Sequence, residues 1–213
     1  MATRTTTDSA LIDTAPVTSA TFDRFAGLCA VLSGLGGLLY GVSFVILKNV
    51  ALSALFLLLG GLLATFLFTA LYSRLRAVSA SFALWAFLLA IVGQIGAVMH
   101  GGYDLANALN PPSLSAQLAS LPSAVDPRGL LTFGLTGIGL LFIARLMGLS
   151  QFFPRALSYL GYLLAILLIA LYLGRLILFS PSNPLLLGTA LLSGFLVAPL
   201  WYIWLGIVLL RRQ

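Results

Sequence analysis

The chain has 213 residues, of which 61% are hydrophobic and only 8% are charged. Soluble domains carry charged residues at about a quarter of their positions, so this composition excludes an ordinary soluble domain. It predicts an integral membrane protein whose first partner is the lipid bilayer. The net charge of +6 does not indicate a nucleic-acid partner, because the basic residues stand singly or in pairs between apolar runs.

The residues that most enzymes and metal sites need are scarce. Glutamate is absent, and the chain has one histidine and one cysteine, Cys29. A single cysteine excludes an intramolecular disulfide and a cysteine-based zinc site. No HExxH, phosphate-binding loop or Gly-x-Ser-x-Gly pattern occurs. The sequence therefore predicts no metal site and no catalytic residues, and it leaves any cofactor unassigned.

Residues 1–24 are rich in Thr, Ser, Ala and Asp and predict a flexible cytoplasmic N-terminal tail. Residues 25–213 predict a six-helix transmembrane domain, since six apolar runs are each long enough to cross a hydrocarbon core of about 30 Å. Short links between them predict an all-α, antiparallel bundle with one long outer loop, 101–128. The runs lie near Phe25–Leu47, Val50–Tyr72, Ser79–Met99, Gly129–Met147, Ala156–Phe179 and Leu185–Leu210.

The basic residues predict the orientation of the bundle. Three of the eleven, Lys48, Arg128 and Arg175, belong to one side, and the other eight belong to the opposite side. The positive-inside rule then puts both termini in the cytoplasm and predicts a multi-pass protein of the inner membrane. The eight are Arg4, Arg24, Arg74, Arg76, Arg145, Arg155, Arg211 and Arg212.

Local signals predict where several helices begin and end. Asn110-Pro111-Pro112 ends the third helix, and the spacing of leucines over Ser113–Leu121 predicts a short helix on the outer interface. Asp126-Pro127 and Asn183-Pro184 each predict a helix start, with an N-cap followed by proline in the first turn. Pro199 predicts a kink within the sixth span.

Glycines in the first four spans predict close helix–helix contacts. They include Gly34, Gly37, Gly41, Gly60, Gly61, Gly93, Gly96, Gly134 and Gly137.

The densest group of chemically capable side chains follows the third apolar run. On a continuous helix, His100, Tyr103, Asp104 and Asn107 share an arc of roughly 100°. Arg175 lies inside the outer end of the fifth span, where a charge is costly unless it is paired or faces a cavity. We expect these five residues to form a ligand site, in which Asp104 pairs with Arg175.

Two stretches resemble a bacterial family of six-helix membrane proteins of unassigned function, the DUF4386-like proteins. They are Gly96-Ala97-Val98-Met99-His100-Gly101-Gly102-Tyr103-Asp104-Leu105-Ala106 and Pro199-Leu200-Trp201-Tyr202-Ile203-Trp204-Leu205-Gly206. The resemblance implies the six-helix fold and supplies no mechanism.

Three functions are compatible with the sequence. The favoured one is a non-enzymatic protein that binds or transports a small ligand at an outward-facing pocket near the end of the third helix. The alternative is a structural or accessory subunit of a larger membrane complex, or a homo-oligomer. An intramembrane enzyme is the third hypothesis, and the lack of catalytic residues disfavours it.

Overall fold

The computed structural model describes residues 20–111, 125–178 and 183–211. These ranges form six helices long and apolar enough to cross a membrane, and they contain no β-strand. The predicted all-α six-helix bundle is confirmed. The helices are α1 (Ala20–Gly41, continued by π-helical Val42–Ile46), α2 (Val50–Leu75), α3 (Ala80–Leu109), α4 (π-helical Leu130–Leu135, then Thr136–Leu149), α5 (Arg155–Leu178) and α6 (Pro184–Leu191, π-helical Leu192–Val197, then Ala198–Arg211).

Consecutive helices pack side by side, and the last returns to the first. Helix α1 packs against both α2 and α6, while α3 packs against α2 and α4, and α4 packs against α5. Because the number of helices is even, both ends of the described chain lie at the same end of the bundle. We call this the proximal end and the opposite one the distal end.

Two of the predicted helix boundaries are confirmed. Helix α3 ends at Leu109, with Asn110 as its C-cap. Asn183 caps α6, where its side-chain oxygen accepts a hydrogen bond from the Leu185 amide at 3.0 Å. The predicted tail overlaps α1, which already begins at Ala20. Residues 1–19 and the predicted helix Ser113–Leu121 lie outside the described residues.

The predicted start of α4 at Asp126-Pro127 is wrong by several residues. Gly129 has a φ of 76°, in the left-handed region that interrupts a helix, and α4 begins only at Leu130. Asp126 instead closes a turn, in which its carbonyl accepts from the Gly129 amide at 3.0 Å. Its carboxylate still caps the first helical turn, because Oδ2 accepts from the Thr132 amide at 2.9 Å.

The contiguous apolar core fills the proximal half of the bundle and reaches the middle of the membrane span. Its largest fully buried side chains include Trp201, Phe68, Leu140, Leu164 and Leu205. No member of this cluster comes from the distal third of any described helix. The bundle is therefore tightly closed at the proximal end.

Close backbone contacts at glycines hold the helices together. Gly27 of α1 faces Gly206 of α6, and a Cβ on Gly206 would lie 2.5 Å from the Gly27 carbonyl oxygen. On the other side of the bundle, a Cβ on Gly101 of α3 would lie 2.6 Å from the backbone nitrogen of Leu58 on α2. Neither glycine has room for a side chain, as expected where packing rather than the hydrophobic effect drives association in lipid.

Helices α1, α4 and α6 each contain a π-helical turn in their distal halves. In α6 the turn lies directly before Pro199, which cannot donate a backbone hydrogen bond. The Ala198 amide bonds to the Ser193 carbonyl, five residues back. The sequence predicts a kink at Pro199, and the structure has a π-helical turn directly before this residue.

A partly buried ion pair joins the proximal ends of α1 and α2. Asp23, which is 1% exposed, pairs with the Arg74 guanidinium. The same guanidinium lies over the ring of Phe152, 4.5 Å from its centroid. One arginine thus joins α1, α2 and the link between α4 and α5.

We expect Gly206→Ala to lower the melting temperature of the detergent-solubilised protein, because its methyl group would push α1 away from α6. Gly188→Ala is the matched control on the same helix, since a Cβ there would meet nothing within 4 Å. This control should leave stability unchanged or raise it by up to about 1 kcal/mol, the gain expected from alanine in a helix. Equal effects of the two substitutions would contradict the close α1–α6 contact.

We expect Asp23→Asn and Arg74→Gln each to lower the free energy of unfolding, by up to about 3 kcal/mol, because each leaves a partner charge poorly solvated. The double variant should recover part of the loss. Arg76→Gln, at an exposed arginine two residues further on, is the control and should have little effect. Strictly additive losses in denaturation experiments would show that the pair does not contribute to stability.

Candidate functional site at the distal end

An ion pair within one helix forms the centre of the candidate site. His100 Nε2 lies 2.9 Å from Asp104 Oδ2, one turn further along α3. The two side chains are 14% and 28% exposed, so other parts of the protein cover most of each one. His100 Nδ1 is buried and makes no hydrogen bond to the described part of the chain. The hydrogen-bonding capacity of that nitrogen is therefore not used within the described chain.

Arg175 does not form the expected ion pair with Asp104. Within the described residues, Asp104 pairs with His100, and the Arg175 guanidinium lies over the ring of Phe133, 4.7 Å from its centroid. The backbone carbonyl of Arg175 accepts a hydrogen bond from Arg128 Nη1 at 3.4 Å. The physical reason is position: α3 and α5 do not pack against each other, while α4 lies against α5 and brings Phe133 to Arg175.

The position of Phe133 depends on Gly129. A side chain at Gly129 would collide with the Phe133 ring, and its φ of 76° is one that residues other than glycine rarely adopt. Phe133 itself lies in the π-helical turn Leu130–Leu135. Gly129 therefore determines indirectly where the Arg175 guanidinium lies.

Tyr40 of α1 connects the two charged groups. Its phenol lies within electrostatic range of both Arg175 and Asp104, and its ring stacks on Phe44 of the adjoining π-helical turn, with centroids 5.8 Å apart. Arg175 is also within electrostatic range of Asp126, whose side chain is buried. Three helices, α1, α3 and α5, and the turn before α4 thus contribute ionisable side chains to the distal end.

Three members of the site, Tyr40, Asp126 and Phe133, are not marked as such by the sequence. Tyr40 lies inside an apolar run and Asp126 precedes a proline, and neither position differs from an ordinary interfacial tyrosine or a helix cap. The one available signal was Gly129, since a glycine after Asp-Pro permits the turn that positions Phe133.

Tyr103 and Asn107 lie on the same helix as His100 but contribute less than expected. Tyr103 is 38% exposed, at the edge of the arc, and Asn107 is half-buried, one turn beyond Tyr103 and two turns beyond His100. The structure brings together His100 and Asp104, and Tyr40 lies within electrostatic range of both Asp104 and Arg175. It does not bring Tyr103 into that group.

Comparison with known proteins identifies no relative. No protein-family model, curated protein sequence or solved structure matches the chain. The described residues also contain no group of three or more histidine, cysteine, aspartate or glutamate side chains that could hold a metal ion.

Double-mutant cycles should distinguish the two possible partners of Asp104. We expect Asp104→Asn combined with His100→Gln to show a coupling of about 0.5 kcal/mol or more, because the two side chains are in contact. Asp104→Asn combined with Arg175→Gln should be additive within about 0.5 kcal/mol. Thermal or chemical unfolding in detergent measures both cycles. Strong coupling only in the second cycle would contradict the observed pairing.

Proposed function

We propose that the protein is a non-enzymatic membrane protein that binds a small polar ligand in a distal pocket, formed by His100, Asp104, Arg175 and Tyr40. The observation that carries this proposal is the partly buried His100–Asp104 pair, with Arg175 at the same end of the bundle and in no direct ion pair with a described residue. Ionisable groups inside membrane helices are costly to keep and are commonly functional.

The residue types suggest the chemical class of the ligand. A guanidinium offers a planar set of donors that matches a carboxylate or phosphate. Asp104 accepts hydrogen bonds, and His100 has a free ring nitrogen that can donate or accept one. A small organic acid that also carries an amino or hydroxyl group would satisfy all three side chains.

The closed proximal core favours binding from the distal side. Trp201 and Phe68 are fully buried on the proximal side of the polar cluster. A ligand could therefore pass through the bundle only if this core opened. We further propose that the distal end faces outward from a bacterial inner membrane, because most basic residues lie at the proximal end. Binding is the minimal function, and transport would add a conformational change to it.

The proposal can be tested by thermal stability of the purified protein with a panel of amino acids, hydroxy acids, simple carboxylates and inorganic phosphate. We expect one class to raise the melting temperature, by roughly 5 to 10 °C at saturating concentration, as ligand linkage predicts. Arg175→Gln and His100→Gln should abolish that shift. Arg155→Gln, at an exposed arginine at the proximal end, should retain it.

Two outcomes would overturn the proposal. One is that no compound in the panel stabilises the wild-type protein, and the other is that Arg175→Gln responds like the wild type. If the chain is instead an accessory subunit of a larger membrane complex, native mass measurement after gentle detergent extraction should show other chains bound to it. A monomer or homo-oligomer would disfavour that alternative.

A further inference from the structure

An aromatic groove lies on the surface of the bundle at the proximal end, away from the distal site. Ser81, Phe82 and Trp85 of α3 and Phe142 of α4 line a space of about 470 Å³. The Trp85 and Phe142 rings meet edge to face with centroids 4.8 Å apart, and Phe82 stacks on Phe142 at 5.9 Å. Phe82 and Trp85 are 55% and 45% exposed. In a membrane these rings face lipid.

An arginine without a protein partner lies at the edge of this groove. Arg145 follows Phe142 by three residues on α4, so the two side chains share a helix face. It is exposed, and within the described residues it makes no ion pair, hydrogen bond or ring contact. Since α3 and α4 are antiparallel and Phe142 lies level with Trp85 and Phe82, Arg145 lies near the first turn of α3.

The beginning of α3 adds further positive polarity at the same level. The helix starts at Ala80 and runs for 30 residues, and its N-cap, Ser79, makes no side-chain capping hydrogen bond. The partial positive charge of a helix N-terminus favours an anion there. Arg145 and the N-terminus of α3 both lie where the apolar groove ends and the membrane interface begins.

We infer that this groove binds an anionic phospholipid from the surrounding leaflet. The acyl chain and glycerol lie along Phe82, Trp85 and Phe142, and the phosphate is held by Arg145 beside the first turn of α3. A bilayer supplies such a molecule at high local concentration, and the unpaired arginine supplies the charge complementarity. Basic groups between helices at the cytoplasmic interface bind anionic head groups in this way.

Trp85 is itself the reporter for the experiment. The chain has three tryptophans, so Trp201→Phe and Trp204→Phe leave Trp85 as the only one. Its fluorescence is measured in mixed vesicles containing phosphatidylglycerol or phosphatidylcholine with brominated acyl chains. We expect phosphatidylglycerol to reach half-maximal quenching at about fivefold lower mole fraction, the preference that one arginine near the head groups provides.

Arg145→Gln in this background should abolish the preference and leave quenching by phosphatidylcholine unchanged. Arg211→Gln is the matched control, because it removes a proximal arginine from α6, which packs against neither α3 nor α4. This variant should keep the preference. Two results would overturn the inference. One is equal quenching by the two lipids in the protein that carries only Trp201→Phe and Trp204→Phe. The other is that Arg145→Gln and Arg211→Gln reduce the phosphatidylglycerol preference equally.

A second measurement covers the case in which Trp201→Phe unfolds the protein, since Trp201 is fully buried. Native mass spectrometry of the otherwise wild-type chain should show phosphatidylglycerol retained in preference to phosphatidylcholine, and Arg145→Gln should lose that preference. A homodimer in which neither lipid quenches Trp85 would mean that a second copy covers the groove, which would also overturn the inference.

Discussion

The fold depends on how closely helix backbones can approach in a solvent as apolar as their own side chains. Lipid removes the hydrophobic driving force between helices, so packing contacts and a few polar interactions must hold them together. In this chain helix backbones approach closely where glycine removes the side chain altogether, as at Gly27 with Gly206 and at Gly101 with Leu58. The larger side chains then fill the space that these contacts define.

The two ends of the bundle differ in a way that follows from this packing. At the proximal end the large apolar side chains form a continuous core, and the Asp23–Arg74 pair joins α1 to α2. At the distal end α1, α4 and α6 contain π-helical turns, and ionisable side chains of α1, α3 and α5 lie at the same end. The regularly packed core thus lies at the proximal end and the π-helical turns lie toward the distal end. Such turns are common at functional sites.

Much of the architecture could be predicted because it depends on local pattern. Apolar runs of membrane-spanning length give the six helices. Asn110, which precedes a proline, marks the end of α3, and the Asn183 side chain caps the start of α6. The His100–Asp104 pair also follows from helical spacing, since residues four apart lie on one face. These features need no knowledge of how one helix lies against another.

The remaining features depend on contacts between helices, which a single sequence does not encode in any local pattern. The partner of Arg175 is Phe133 and not Asp104, because α4 packs against α5 and α3 does not. Asp23 and Arg74 were both visible in the sequence, but 51 positions separate them. Gly129 looked like an ordinary part of the fourth span, yet its left-handed backbone delays the helix and positions Phe133.

The contact between Gly27 and Gly206 also has a consequence for the order of assembly in the membrane. It joins α1 to α6, which is synthesised after it with four helices in between, so the α1 surface around Gly27 stays unpacked until α6 has entered the bilayer. Contacts between distant parts of a chain form late and leave intermediates exposed for longer. Helix α2 can shield Asp23 through Arg74 much earlier, so the acidic group is neutralised while the ring of helices is still open.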